Sequence, residues 1–367
     1  MTRRTLLGAG FVLAAAGLPL ALAGPPPSSL QQQAEGVANW IEGDTAAEVV
    51  STGSALFDQE WTFGAWQMAA LGFLHMAETS SEDRALHLSR VDTCLHHLFT
   101  PAGRAFDRAE WGADVLGALD EDRGHAAGLG YTNLALSGRR ALGPEGPWAR
   151  ENDALSAAIV RRLEVELMPE TYPNQRYPVD VAAMVASVGL WARATKRPEP
   201  PVLARWRAEL ERRWIVDGLV VQAVGPDGAP RDAPRGGGTF LAAWFLSRWD
   251  PEFAAWLTRS ATARLRADTG PWTAMREYPP GGDGRGDIDS GPIVAGLGVS
   301  STGFAIGAAR AAGAFELAAG LERTATLVGH PAVSPRISGR GCGRARRRRA
   351  RARAAPPRRW PRERHGW

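Results

Sequence analysis

Apolar residues recur at three- and four-residue spacing along most of the chain between positions 50 and 325, as in helices that bury one face. These stretches are also rich in alanine, a strong helix former. The clearest segments are AALGFLHMAET, GYTNLALSGRRAL, ALSAAIVRRLEVELM, VAAMVASVGLWARAT, PVLARWRAELERRWI, TFLAAWFLSRW, PEFAAWLTRSATARLRA and STGFAIGAARAAG. Strand signals are sparse, and GLVVQAVG at 218–225 is the best candidate for a short hairpin. The pattern therefore predicts an all-α protein.

The predicted helices fall into pairs, one polar and amphipathic and the next almost wholly apolar. VLARWRAELERRW precedes TFLAAWFLSRW, and EFAAWLTRSATARLRA precedes GPIVAGLGVSSTGFAIGAAR. Because no exact repeat period is present, a solenoid of identical units is disfavoured. A ring of helical hairpins, an α/α toroid with a six-hairpin-like barrel, accounts for the pairing better. Its small-residue helices would form the inner wall, and the loops at one end would shape a central cavity.

The N-terminal segment differs in composition from this helical body. MTRRTLLGAGFVLAAAGLPLALAG combines a positive start with an apolar stretch that ends in Ala21-Leu22-Ala23, which is the layout of a secretory signal. Its twin arginines, Arg3 and Arg4, are typical of twin-arginine export signals. We expect residues 1–23 to be an export signal and the protein to be periplasmic or extracellular. An uncleaved membrane anchor is the alternative.

The C-terminal segment is strongly basic. Residues 336–367 contain 13 arginines, one acid (Glu363) and no lysine. Removing them from the 43 basic and 39 acidic residues of the chain leaves 30 and 38, so the body at 24–335 is acidic. A basic tail can bind nucleic acid, but this composition is also that of GC-rich DNA read out of frame. We interpret the tail as disordered and frameshifted, we expect no nucleic-acid partner, and we expect the ring of hairpins to be incomplete at its C-terminal end.

Cysteine and histidine give no pattern that points to a bound metal or cofactor. The two cysteines are Cys94, in a predicted helix, and Cys342, in the basic tail. Among the seven histidines only His96 and His97 are adjacent, and no His-Glu-x-x-His spacing is present. We therefore expect no metal, no cofactor and no disulfide framework. Since no stretch after the export signal is long and apolar enough to span a bilayer, we also expect no membrane association beyond that signal.

One Gly/Pro-rich loop concentrates acidic residues just before an apolar segment. The stretch MREYPPGGDGRGDIDSGPIVAGLGVS, at 275–300, places Glu277, Asp283, Asp287 and Asp289 within thirteen residues. The loop is either a solvated turn or a carrier of carboxylates to the mouth of a pocket. Asp287 and Asp289 could act as a general base, a helix cap or cation ligands, although the twelve-residue calcium loop is lacking.

Three segments resemble, in order, proteins of the linalool dehydratase-isomerase-like family: YPNQRYPVDVAAMVASVGLWARAT, APRGGGTFLAAWFLSRWDPEFAAWL and MREYPPGGDGRGDIDSGPIVAGLGVSSTGFAIGAAR. LGYTNLALSGRR at 129–140 is similar to the Asn-Leu helix of that family. The resemblance covers about residues 50–325 and implies an α/α barrel with a cavity lined from the ends of inner helices. The two active-site cysteines of the family's lyase fall on Thr171 and Asp180 here, and its histidine falls on Tyr131. The resemblance therefore implies the family's fold for this chain more strongly than it implies the family's reaction.

Two further acids have sequence surroundings that suit catalysis. Asp180 stands at the start of an apolar helix, where it either caps the helix or faces the cavity. Glu60 is flanked by Trp61, Phe63 and Trp66. Burial beside aromatic residues would raise the pKa of Glu60 and suit it to a general acid. The alternative is a surface acid near a helix start.

These features lead to two hypotheses about function. The first is an exported enzyme that uses carboxylate acid/base chemistry on a terpenoid-like or sugar-like small molecule. It would be either a hydro-lyase similar to linalool dehydratase-isomerase or a glycosidase-like hydrolase, since paired carboxylates across a cavity also serve glycoside cleavage. The second is a non-catalytic binding protein that kept the toroid. The candidate catalytic residues are Asp180, Glu60, Glu277, Asp287 and Asp289. The candidate substrate-binding residues are Tyr131, Tyr177, Trp61 and Arg276.

Overall fold

The computed structural model describes residues 30–42, 55–121, 125–144, 146–270, 272–282, 284, 286–287 and 289–329. Most of these residues are helical, and the strands are confined to three two-stranded antiparallel hairpins. The prediction of an all-α protein is thereby confirmed. The predicted export signal at 1–23 and the arginine-rich tail at 336–367 lie outside the described residues, as does Asp283.

The described helices are α1 (Leu30–Glu42), α2 (Ala55–Thr79), α3 (Arg84–Leu98), α4 (Ala105–Trp111), α5 (Ala126–Leu142), α6 (Ala149–Val165), α7 (Pro178–Thr195), α8 (Pro201–Glu209), α9 (Gly236–Leu246), α10 (Pro251–Leu265), α11 (Val299–Ala311) and α12 (Phe315–Gly329). A π-helical turn, Leu210–Trp214, extends α8. The strands are β1 (Ile215–Val216), β2 (Leu219–Val220), β3 (Arg266–Thr269), β4 (Trp272–Met275), β5 (Ile293–Val294) and β6 (Leu297–Gly298).

Local sequence explains where several helices begin. Both α7 and α10 have proline in the first turn, where the missing N–H would in any case lack an intrahelical partner. Asp250 caps α10 by accepting the amide of Phe253 at 3.0 Å. At its other end, α7 is followed by Lys196 in the left-handed region at φ 56°. The start of α10 thus carries a capping side chain, the starts of α7 and α10 carry proline, and α7 ends at a residue with left-handed backbone.

Five apolar helices contact one another in chain order. Helix α2 packs against α5, α5 against α7, α7 against α9, and α9 against α11. Each is followed in the chain by a helix that packs against it, and these partners are α3, α6, α8, α10 and α12. The sequence paired each polar helix with the apolar helix after it, whereas these contacts pair each apolar helix with the helix that follows it. Of the two predicted pairs, α10 also packs against α11.

The most extensive contact is between α5 and α7. A Cβ added at Gly130 would lie 2.8 Å from the backbone nitrogen of Met184, so the glycine allows the two helices to approach closely. Three residues further on, the buried amide of Asn133 donates to Ser156 Oγ at 3.1 Å and to Ser187 Oγ at 2.9 Å. Because buried polar groups must be paired, this network fixes the positions of α5, α6 and α7 relative to one another.

The hairpin predicted at 218–225 begins earlier than expected. Strand β1 pairs with β2 across Asp217 and Gly218, which have φ angles of 54° and 79°. The β3–β4 and β5–β6 hairpins were not predicted. In the part of the chain that the structure describes, none of the helices combines the length and apolar character needed to cross a bilayer.

Candidate active site

A cavity of about 460 Å³ lies at the N-terminal halves of the five apolar helices. This volume is in the range of sites that hold small molecules. Its wall is formed by Glu60, Trp61, Gly64, Ala65, Met68, Ala127, Tyr131, Thr171, Tyr172, Tyr177, Val179, Asp180, Gln222, Arg235, Gly237, Gly238, Leu241, Glu277, Asp289, Ser290, Ser300 and Phe304.

The cavity brings together most of the side chains that were singled out from the sequence. Four predicted catalytic acids line it: Glu60, Asp180, Glu277 and Asp289. Three predicted binding residues also line it: Tyr131, Tyr177 and Trp61. Two candidates, Asp287 and Arg276, are not part of the lining. Residues from distant parts of the chain thus converge at one place.

Asp180 lies in the first turn of α7 and is buried. Its Oδ1 accepts a hydrogen bond from the hydroxyl of Tyr131 at 2.8 Å, and its Oδ2 accepts one from Thr171 Oγ1 at 2.6 Å. These donors are side-chain hydroxyls, so the geometry favours the cavity-facing interpretation over a helix cap. Burial raises the pKa of Asp180, and the two hydroxyls and the nearby His125 offset this only in part.

Tyr131 is the hydroxyl partner of Asp180 on α5. Burial raises the pKa of its phenol well above the ordinary value, and the charge of Asp180 raises it further. The phenol therefore stays neutral and keeps a proton to donate. Its ring packs against Phe245 with the centroids 4.8 Å apart, which fixes its orientation.

Glu60 lies in α2 and is half-buried. Its Oε1 accepts a short hydrogen bond from the hydroxyl of Tyr172. Burial raises the pKa of Glu60, and the bond from Tyr172 and the charge of His125 lower it by less, so it remains above its usual range. The carboxyl group of Glu60 is therefore suited to carry a proton at higher pH than an exposed glutamate would.

Glu277 is almost wholly buried, at 1% exposure. Its Oε1 accepts the amide of Gly237 at 3.1 Å, in the first turn of α9. A Cβ at Gly237 would lie 3.0 Å from that oxygen, so the glycine makes room for the carboxyl group. Burial raises the pKa of Glu277, while the Gly237 amide and the Arg235 charge lower it by less.

Arg276 does not share the environment of its neighbour Glu277. It is half-buried, and a Cβ at Gly296 would lie 3.1 Å from Arg276 Nη1. Its backbone forms an isolated bridge with Leu297 of β6. Arg276 therefore lies beside the β5–β6 hairpin and does not line the cavity, unlike the other predicted binding residues.

Asp287 holds the acidic loop in place. Its Oδ2 lies 2.6 Å from Nη2 of Arg235, whose side chain is buried at the start of α9. Its Oδ1 accepts the amides of Asp289 at 3.1 Å and Ser290 at 2.8 Å. Burial would raise the pKa of Asp287, but the Ser290 amide and Arg235 outweigh it, and the pKa is lowered. Asp287 is therefore an ionised, fully engaged carboxylate.

Asp289 belongs to an exposed turn of the same loop and also lines the cavity. Removal of its carboxyl group from water, together with the charges of Asp287, Asp180 and Glu60, raises its pKa to about 7. The backbone carbonyl of Asp289 accepts a hydrogen bond from Ser300 Oγ at 2.5 Å, at the start of α11. The charge at this part of the wall therefore changes near neutral pH.

Sequence reasoning missed several residues of the site. Tyr172 and Arg235 line the cavity and contact the candidate acids, and His125 lies close behind Glu60, with its Nε2 3.9 Å from Glu60 Oε1. His125 belongs to no metal-binding spacing, and no short motif connects positions 60 and 125. Within the described ranges, no group of three His, Cys, Asp or Glu side chains could hold a metal ion.

The fold and the site together define a helical protein with an acid-lined cavity. No model of a known protein family and no curated protein matches the chain. Its function must therefore be argued from the side chains that line the cavity.

Proposed function

We propose that this protein is an α/α-toroid enzyme that removes water from, or adds water to, a small and largely apolar molecule by carboxylic-acid chemistry. The observation that carries the proposal is the pair Glu60 and Asp180. These acids come from different helices, line one cavity, and accept hydrogen bonds from the neutral hydroxyls of Tyr172 and Tyr131. Both have raised pKa values because burial disfavours their charged forms. Carboxyl groups with shifted pKa values in a cleft are frequent in catalytic sites.

The contacts of the apolar helices support the toroid part of the proposal. In an α/α toroid, inner helices contact one another in chain order and their ends surround the central cavity. Helices α2, α5, α7, α9 and α11 contact one another in that order, and the N-terminal half of each contributes to the cavity wall.

The resemblance to linalool dehydratase-isomerase-like proteins is supported by one cluster. The positions that correspond to the family's two cysteines are Thr171 and Asp180, and the position of its histidine is Tyr131. Here Thr171 and Tyr131 both donate to the carboxyl group of Asp180. The three positions therefore meet at the cavity, with a carboxyl group in place of thiol chemistry.

Dehydration of an alcohol needs an acid and a base on the same cavity. The acid gives its proton to the leaving hydroxyl as the C–O bond breaks, the base takes a proton from the adjacent carbon, and a C=C bond forms. We assign the base to Asp180, because two hydroxyl donors stabilise its carboxylate. We assign the acid to Glu60, because burial holds its pKa above the ordinary value for a glutamate. Hydration is the same sequence in reverse.

The rest of the wall favours an apolar substrate over a sugar. The apolar side chains of the wall include Met68, Val179, Leu241 and Phe304, and most of the surface that lines the cavity is apolar. Apolar surface excludes water and gives no hydrogen bonds to a molecule with many hydroxyls. The substrate class that fits best is therefore a terpenoid-like alcohol or the corresponding alkene.

A substrate panel tests this proposal. Purified protein is incubated with tertiary and allylic terpenoid alcohols and, in parallel, with aryl glycosides, and products are measured by gas chromatography and by release of the aryl group. We expect alkene formation from the alcohols, and a loss of about 10²-fold or more in kcat/KM for Asp180→Asn and Glu60→Gln, as is usual when a general acid or base is removed. Asp268→Asn, at an exposed acid outside the cavity, is the matched control. Glycoside hydrolysis without alcohol turnover, or full activity in Asp180→Asn, contradicts the proposal.

A further inference from the structure

Behind Glu60 lies a buried histidine that the acid–base scheme above does not use. His125 directly precedes α5 and is 1% exposed. Its Nδ1 lies 2.9 Å from Oδ1 of Asp107, and its Nε2 lies 3.9 Å from Oε1 of Glu60. The other oxygen of Asp107, Oδ2, accepts the amide of Val115 at 3.0 Å. Asp107 is therefore fixed by the backbone, and it fixes the imidazole in turn.

The two ring nitrogens of His125 have different environments. Nδ1 is bonded to a carboxylate, which holds a proton on that nitrogen. Nε2 is buried and has no hydrogen-bond partner among the described residues. Buried polar groups of this kind are rare, and each needs an explanation. Glu60 is the carboxyl group that faces this nitrogen. Exchange of a proton between Nε2 and Glu60 would explain why the nitrogen has no fixed hydrogen-bond partner.

Aromatic rings hold the imidazole in this orientation. The ring of Phe106 is 5.5 Å from it, the ring of Tyr172 is 5.6 Å away, and the ring of Phe63 is 6.3 Å away, as centroid distances. Tyr172 also donates to Glu60, so the same side chain contacts both members of the pair. The imidazole is therefore buried among aromatic rings beside Glu60, where a charge on one group affects the other more than it would in water.

We infer that His125, held by Asp107, is a positioning residue that shares a proton with Glu60 and so restores the acid between turnovers. The two groups, 3.9 Å apart in the resting structure, must first close to hydrogen-bond distance, as catalytic contacts often do when substrate binds. The Nε2–H bond of the imidazolium then breaks, an O–H bond forms on Glu60, and neutral imidazole keeps its Nδ1–H directed at Asp107. Asp180 releases to solvent water the proton that it took from carbon, and solvent returns a proton to the His125–Glu60 pair through the cavity. This inference rests on the acid role of Glu60 in the proposed function, but the coupling of the two groups is testable without turnover.

The electrostatics of the pocket are consistent with this exchange. The titratable groups that face His125 are Asp107 on α4, Glu60 on α2, Asp180 on α7 and Tyr172 in the loop before α7. Burial lowers the pKa of His125, but the hydrogen bond and charge of Asp107, followed by the charges of Glu60 and Asp180, outweigh burial and raise it. Imidazolium is thus accessible next to a carboxyl group whose own pKa is raised by burial.

Nitrogen NMR of the resting protein tests the coupling directly. With ¹⁵N-labelled histidine, the shifts of the two ring nitrogens of His125 are followed against pH in the wild type, Glu60→Gln and Asp107→Asn. His97, whose Nε2 lies 3.2 Å from the carbonyl of Ile41, serves as an internal reference. We expect Nδ1–H in neutral wild-type His125, and a drop of its pKa in Glu60→Gln. In Asp107→Asn, the side-chain amide oxygen can still accept the Val115 N–H, which turns the side-chain NH₂ toward the ring. Because this NH₂ donates to Nδ1, the proton of the neutral His125 ring should move from Nδ1 to Nε2.

A matched control separates the loss of the Asp107 carboxylate from a change in the shape of the loop that follows α4. Asp114 accepts the amides of Leu116 and Gly117 and pairs with Arg104 in the same region. Asp114→Asn should leave the His125 titration unchanged. An unchanged His125 titration in Glu60→Gln, or the Nε2–H tautomer in the wild type, overturns the inference whatever the activity is.

Steady-state kinetics with a substrate that the protein converts give a second test, through kcat, KM and the pH profile. Asp107→Asn should lower kcat at least several-fold and shift its pH profile, with KM changed little, because the imidazole does not reach the cavity wall. Asp114→Asn should change neither. If the NMR titrations of His125 and Glu60 are coupled but Glu60→Gln keeps full activity, the coupling stands and the acid role of Glu60 is refuted. Failure of the inference and failure of the proposed function are therefore distinguishable.

Discussion

Two aspartates near the cavity show how surroundings decide what a carboxyl group can do. Asp180 is buried and accepts hydrogen bonds from the hydroxyls of Tyr131 and Thr171, and its pKa is raised. Asp287 accepts backbone amides and pairs with Arg235 at 2.6 Å, and its pKa is lowered. Neutral donors hold a carboxyl group in position without preventing it from gaining a proton. A cation makes it a permanent anion. The first environment suits proton transfer, and the second suits holding a loop.

The comparison implies that the hydroxyls tune Asp180, and their removal should give the largest effect. The double variant Tyr131→Phe with Thr171→Val deletes both bonds that favour the carboxylate, so the pKa of Asp180 should rise further. The protonated form then persists to higher pH, the acid limb of the kcat profile moves upward, and activity at neutral pH falls by about 10²-fold if Asp180 is the base. The measurement is a full pH–rate profile. An unchanged acid limb would show that Asp180 is not the base.

Breaking the Arg235–Asp287 pair should affect stability more than chemistry. Asp287→Asn can keep the amide contacts of Asp289 and Ser290 but removes the carboxylate that pairs directly with the buried Arg235. Because Asp287 is partly exposed, we expect a loss of about 1–2 kcal/mol of unfolding free energy, below the range for a fully buried pair. Urea unfolding measures it, with Asp268→Asn as the exposed control. A stable Asp287→Asn variant with abolished turnover would instead assign Asp287 to catalysis, as the sequence suggested.

Glu277 sharpens the comparison because burial raises its pKa although it accepts a helix amide. A carboxyl group with a raised folded pKa contributes stability below its unfolded pKa, and this contribution is lost as pH rises through the folded value. Glu277→Gln should therefore be more stable than the wild type at neutral pH, by about 1 kcal/mol, and the gain should shrink toward pH 4. Thermal unfolding across pH checks this. A constant or inverted difference would contradict the raised pKa.

Asp289 should give the smallest effect. Its pKa of about 7 reflects burial of the carboxyl group and the neighbouring acids, and the residue remains in an exposed turn. Asp289→Asn should remove an inflection near pH 7 from the kcat/KM profile and change the maximal rate by less than about tenfold, since no contact assigns it a proton-transfer partner. Persistence of that inflection would place the titration on another group.

Much of the helical body could be read from the sequence because apolar spacing records which face of a helix is buried. The apolar stretch TFLAAWFLSRW became α9, and the Asp180 segment became α7, with the acid at the cavity as one of the two predicted outcomes. The β3–β4 hairpin was missed because its strands are short and partly exposed, which leaves no alternating pattern to detect.

The candidate site was only half predictable, for a related reason. The acids stood out because they lie next to aromatic residues or in a Gly/Pro loop. Their partners did not, because tertiary contacts supply them: Tyr172 meets Glu60 from 112 positions away along the chain, and His125 meets Asp107 from 18 positions away. A single sequence carries no local signal for such pairs.

Titration of the side-chain carboxyl carbons by ¹³C NMR tests the central claim most directly, because it needs no substrate. Spectra of the wild type are assigned by comparison with Asp180→Asn, Glu60→Gln and Asp287→Asn, each of which removes one signal. The account predicts that Asp180 and Glu60 titrate above the ordinary range of their residue types and that Asp287 titrates below it. If Asp180 titrates at or below the pKa of Asp287, the two environments do not differ as described, and the acid–base proposal for this cavity is wrong.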